Sequence, residues 1–187
     1  MDLFDAIEGR FTAPGLTDPA PDAADLRKIL TAGIMAPDHG RLAPWRFAVL
    51  HGATRNLLAD AMAALKRATD PDAPETAIAA EQRKALRAPL IVVVAAHIVP
   101  HPKVPEIEQL LAVAACVQNM CLAAQALGYC ANWKTGPAAH APEVARALGF
   151  AANDRVVAIL YLGTAAAPAT RRDRVLDPAW LVTLPDR

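Results

Sequence analysis

Two stretches of the chain are apolar without interruption. Residues 90–97 (LIVVVAAH) and 155–163 (RVVAILYLG) are of strand length and rich in β-branched side chains. A strand with one wet face would alternate, so both runs predict strands covered on both sides. A third strand is expected over 45–52 (WRFAVLHG). Elsewhere the spacing turns helical. Leu3, Phe4 and Ile7 fall on one side of a short helix that should stop at Gly9. Asp22 caps a second helix, on which Leu26, Ile29, Leu30 and Ile34 recur until Pro37 forces a break. Leu57, Leu58, Met62 and Leu65 form the inward side of a helix over 53–70, and residues 71–89 read as a loop followed by a helix. The longest helix is expected from Pro105 to Gly128, and another from Pro142 to Gly149. Residues 10–21 are turn-rich, 129–136 a short strand or loop, and 164–187 irregular.

Helices and strands interleave, but not as a clean βαβ series, so the order favours an α+β sandwich over a doubly wound sheet. The length suits one domain over 1–187. Hydrophobic residues make up 54% and aromatic ones 5%, which predicts a core of Ala, Leu, Val and Ile. That is much apolar surface for a small monomer, and part of it is expected against a second subunit. The 105–128 helix, apolar nearly all round, belongs at the centre of the fold or at such an interface. Glu108, Gln109, Gln118, Asn119 and Gln125 would be costly in lipid, so it is not expected to span a membrane.

Lys+Arg and Asp+Glu both total 19, which removes the general electrostatic case for nucleic acid or an anionic membrane and leaves a small ligand. Cys116, Cys121 and Cys130 have no CxxC spacing and the first ten residues lack a secretion pattern, so a cytoplasmic protein with reduced thiols is expected.

Several chemistries fall away. The glycines are too widely spaced for a GxGxxG turn or a Walker loop, so the phosphate of any nucleotide would have to be held by side chains. There is no serine for a Ser/His/Asp triad, and no HExxH for a metal. Cys116 and Cys121 lie in the apolar helix; only Cys130 is conceivable as a nucleophile. Arg10 has two open readings, a guanidinium fork for an anion with Thr12 beside it, or a cation on the last carbonyls of the first helix. His39, in APDHGRLAPWRF (36–47), is open as a base, a metal ligand or a polar contact, or as a loop histidine bonded to nearby backbone. Trp45 and Trp133 could simply fill the core, and Arg171, Arg172 and Arg174 are either a solvated turn or a source of phosphate contacts.

Six blocks carry a resemblance: GRFT (9–12), ILTAGIMAPDHGRLAPWRF (29–47), RAPLIVVVAAH (87–97), HPKVPEIEQ (101–109), NWKTG (132–136) and FAANDRVVAILYLGT (150–164). In this order they make the chain similar to the nitroreductase family of FMN-dependent oxidoreductases, and to its smallest members in particular. The resemblance implies a three-layer α+β sandwich with a mainly antiparallel sheet, and an intertwined homodimer with FMN at the interface. Arg10, Phe11 and Thr12 match the phosphate and ribityl contacts, and Trp133, Lys134 and Thr135 the segment lining the same flavin. Met35 and His39 match positions that reach FMN from the other subunit. The nicotinamide side corresponds to Ala123, Ala124, Gln125, Ala126, Leu127 and Gly128. The chain departs from the family in having Phe11 and Thr12 where Arg and Ser are common, and Ala43 where glutamine often precedes Pro-Trp.

The implied activity is transfer of hydride from NADH or NADPH to flavin N5, then to a nitroaromatic, quinone or enone, by ping-pong kinetics. No side chain needs to act as catalyst, because the flavin carries the chemistry. The rival expectation is a flavin-binding or sensing dimer without enzymatic activity.

Overall fold

The computed structural model describes residues 1–168 and 174–184. The strands are β1 (Leu16–Thr17), β2 (Trp45–His51), β3 (Leu90–His97), β4 (Cys130–Lys134) and β5 (Asp154–Ala165). The helices are α1 (Leu3–Gly9), α2 (Ala23–Ile34), α3 (Arg55–Thr69), α4 (Glu75–Lys84), α5 (Glu106–Ala126), α6 (Pro137–His140) and α7 (Pro142–Ala147). β5 is the hub: β3, β4 and β1 all pair with it, and β2 completes the sheet on the far edge of β3. Every pairing is antiparallel.

The apolar runs do what their pattern predicts. In β3, Leu90, Val92, Val94 and Ala96 face α2 and α5, while Ile91 and Val93 face α3 and the α6–α7 corner. Alternation of side chains thus feeds two cores from one strand. α5 closes one of them with Val113, Cys116, Val117, Met120 and Ala124. It is long and apolar enough to cross a membrane, yet Gln109 is buried in this fold, with its amide bonded to the Val99 and Val104 backbone. Gly33 lets α2 approach α5, since a Cβ there would meet Met120 Cγ at 2.8 Å and Cys116 Sγ at 2.9 Å.

Some expectations change. The turn-rich segment hides β1, a strand too short to leave a periodic signal. A short helix, α6, follows β4. Pro105 precedes α5 as its cap instead of occupying the first turn. Leu57, expected inward, is 53% exposed, because Leu58, Ala59, Met62 and Ala63 already fill the buried side of α3. Leu3, Phe4 and Ile7 do share a side of α1, but that side is exposed.

Candidate functional site

α1 does not end through a left-handed glycine. Gly9 is its last helical residue, and the chain leaves the helix at Arg10 in an extended conformation, φ −67° and ψ 124°. Gly9 serves close approach instead: a Cβ would sit 3.1 Å from Gln125 Nε2, so the end of α1 rests on the last turns of α5. Arg10 is half-buried there. Its charge is near enough to Cys121 and Cys130 to favour their thiolates against burial. Among the described residues its guanidinium makes no hydrogen bond or ion pair, so it does not serve the carbonyls of α1.

The following residues run along β4. The Phe11 carbonyl accepts a hydrogen bond from Cys130 Sγ at 3.4 Å, and the Phe11 ring packs on the α3-side core. Buried Asn132 then grips the backbone of Ala13 at two points, accepting its N–H and donating to its carbonyl, each at 2.9 Å. Thr12, between them, is exposed. Asn132 shows in the sequence only as a lone amide, and it lies at a buried position of β4. Both polar ends of that amide are satisfied, as burial requires.

Beside this segment a cavity of about 440 Å³ opens between β4, α3 and α4. Met62, Leu65 and Ile159 line its apolar part, and Lys134 and Thr135 its mouth. Of the other cations on it, Lys66 pairs with Asp70 at 2.6 Å and Lys84 with Glu81 at 2.5 Å. The side-chain cations of Lys134 and Arg87 have no hydrogen-bond or ion-pair partner among the described residues. Trp133 projects from the opposite face of β4, packs against the α5-side core and donates its indole N–H to the Val157 carbonyl at 3.2 Å. Trp133 and Lys134 therefore present to different layers.

The segment Ala123–Gly128 closes α5. Ala124 is buried, Ala123, Gln125 and Leu127 are half-buried, and Ala126 and Gly128 are exposed, the last turning the chain at φ 87°. It adjoins Arg10 through the Gly9–Gln125 contact.

Met35 and His39 lie elsewhere. Met35 is the exposed residue after α2, and His39 is bonded through Nδ1 to Glu108 in the first turn of α5, not to nearby backbone. Glu108 and the Cys121–Gln125 turns lie at opposite ends of α5, about 20–25 Å apart at the helical rise per residue. One chain thus sets Arg10 beside the Ala123–Gly128 turns and Phe11 along β4, places Lys134 and Thr135 on the α3-side cavity, whose lining begins at Ala13 and does not include Arg10–Thr12, and holds His39 toward the other end of α5. Arg171 and Arg172 lie outside the described residues, and Arg174 is exposed.

The cysteines are not nucleophiles in waiting. Burial pushes the Cys116 and Cys121 thiols up to about 11 and raises Cys130 as well, which keeps all three protonated near neutral pH.

Comparison with known proteins agrees with this architecture. The "Putative NAD(P)H nitroreductase YdjA" of Escherichia coli K12 is 35% identical over 183 residues, covering 98% of this chain and 99% of the relative. A crystal structure of a nitroreductase-like family protein from Bacillus cereus superposes with a TM-score of 0.82 at 23% identity, over 98% of this chain and 96% of the other. Another, a "putative nitroreductase in complex with fmn" from Desulfovibrio desulfuricans, has a TM-score of 0.74 at 26% identity, over 100% and 99% of the two chains. The nitroreductase family model itself matches residues 7–164, from the end of α1 nearly to the end of β5, and the chain belongs to that family.

Proposed function

We propose that the protein is an FMN-dependent NAD(P)H oxidoreductase that works as a homodimer. What carries the reading is the Arg10 guanidinium, half-buried and unpaired among the described residues, set where the end of α1, the last turns of α5 and β4 meet. A guanidinium in such a place suits a phosphate, which it can meet with two parallel hydrogen bonds. Thr12, two residues on, is exposed, and the chain then runs at Ala13 into an apolar-lined cavity that Lys134 and Thr135 also line, which offers room for the rest of FMN.

Arg10, Phe11 and Thr12 would hold the phosphate and ribityl chain, with Trp133, Lys134 and Thr135 as the flanking segment. Met35 and His39 would come from the second copy, which accounts for their separation from Arg10 within one chain. The turns over Ala123–Gly128 would carry the nicotinamide side. Bound FMN would supply the hydride chemistry between NADH or NADPH and a second substrate. The chain's own part is to orient the reactants, exclude water and place a cation, Lys134, where negative charge accumulates. Nitroaromatics, quinones and enones are the acceptors expected of an accessible flavin face used in turn by donor and acceptor, and ping-pong kinetics follow.

The test is anaerobic. Protein loaded with FMN should lose its visible flavin absorbance on adding NADH or NADPH and regain it with a quinone. Bound FMN that neither nicotinamide bleaches would leave a flavin-binding dimer without enzymatic activity. Arg10→Ala should weaken FMN binding roughly ten- to a hundredfold, the size of a charge-assisted contact, with thermal unfolding unchanged.

A further inference from the structure

The His39 ring is held by a group that the flavin reading leaves without a task. Its Nδ1 lies 2.5 Å from Oε2 of Glu108. Its other nitrogen, Nε2, makes no hydrogen bond or ion pair among the described residues, and the side chain is 60% exposed. The backbone beneath it is constrained. Gly40, Arg41 and Ala43 all have positive φ, at 75°, 55° and 48°. Asp38 accepts the Ala43 N–H at 2.7 Å, and Arg46 bonds the Ala43 and Trp45 carbonyls at 3.3 and 2.9 Å. A Cβ on Gly40 would meet Val104 at 3.0 Å. Non-glycine residues stay in the left-handed region only where their surroundings hold them, and such strain gathers at binding sites.

Resting on the reading that His39 meets the flavin of a second copy, we propose that Glu108 is the positioning residue that decides which nitrogen of His39 does so. A carboxylate can only accept, so the proton sits on Nδ1. Nε2 is then the outward nitrogen, and in the neutral ring it is an acceptor. In that neutral ring His39 takes a hydrogen bond from a donor on the cofactor, a ribityl hydroxyl or the flavin imide N–H, whereas a ring carrying both protons would donate from Nε2 instead. Glu108 and His39 are both well exposed, so the pair adds little to stability. Its consequence is orientation.

Two measurements on full-length protein test this. The first needs no cofactor: the 15N shifts of the His39 ring, assigned by comparison with His39→Ala, report its tautomer. The wild type should carry the Nδ1–H form, and Glu108→Ala should shift the ring toward Nε2–H. The second is FMN affinity, titrated by flavin fluorescence. Glu108→Ala and His39→Ala should each weaken binding roughly three- to tenfold, the size of one hydrogen bond, and the double variant no further. Glu108→Gln, which keeps an acceptor oxygen, should stay within about twofold of wild type. An Nε2–H tautomer in the wild type, additive losses in the double variant, or a loss in Glu108→Gln as large as in Glu108→Ala would overturn the proposal. Wild-type protein that takes up no FMN but shows the Nδ1–H form would sink the flavin reading and leave the Glu108–His39 coupling standing.

Discussion

β3 and α1 are both marked by apolar side chains, yet the fold treats them in opposite ways. Every residue from Leu90 to Ala96 is buried within the chain itself, whereas Leu3, Phe4 and Ile7 on α1 are 63%, 72% and 46% exposed. The same division runs along α5, where Met120 and Val117 are fully buried and Ile107 and Leu111 are 59% and 60% exposed. Apolar character alone therefore does not say which surface a residue meets. β3 lies between two helical layers of its own chain, whereas α1, which rests on α5 at Gly9, leaves its large apolar side chains exposed. An exposed apolar set of this kind marks an interaction surface.

The contrast is sharpest at alkaline pH, where the core side should fail first. Cys116 and Cys121 keep their protons to about pH 11 in the fold, against an ordinary value of 9.0. Below pH 9.0 both states are protonated and nothing is lost. As pH rises through and above that, the unfolded chain releases protons the folded one retains, so stability falls, by about 2 kcal/mol per thiol near pH 11. Urea unfolding of wild type and Cys121→Ala at neutral pH and at about pH 10.5 measures this. The substitution should flatten the decline; an equal decline in both would refute the assignment. A second core test is Leu160→Ala at a fully buried position of β5. It should cost about 2–5 kcal/mol, read from the urea midpoint with an unchanged slope. The smallest effect on the folded chain is expected on the outer side. Phe4→Asp places an acid in the first turn of α1, where the helix dipole favours it. It should alter the stability of the single chain by no more than about 0.5 kcal/mol while shifting sedimentation from dimer to monomer. A Phe4→Asp protein that still sediments as a dimer would remove α1 from the interface.

The fold was legible where burial is complete. The runs at 90–97 and 155–163 could only be central strands, and the cap at Asp22, the break at Pro37 and the stop at Gly128 bound their helices through local chemistry. The site was legible in part. The resemblance points to Arg10, Lys134 and Thr135 as candidates, but nothing in the chain read alone says that Asn132 clamps Ala13, since one amide in a strand carries no pattern. Leu57 misled because helical spacing fixes an angle around α3 and not the height of the neighbouring layer.

Periodicity, capping and turn chemistry act over a few residues, so the order and type of the main elements follow from the chain read alone, as does the exclusion of glycine-loop, serine-triad and HExxH chemistry. Contacts between distant segments depend on how the layers stack. Tertiary structure alone decided that Gly9 rests on Gln125, that Glu108 holds His39, and that Trp133 and Lys134 face apart. It also decided that Arg10 and His39 stand at opposite ends of α5, because a rigid helix converts separation along the chain into distance.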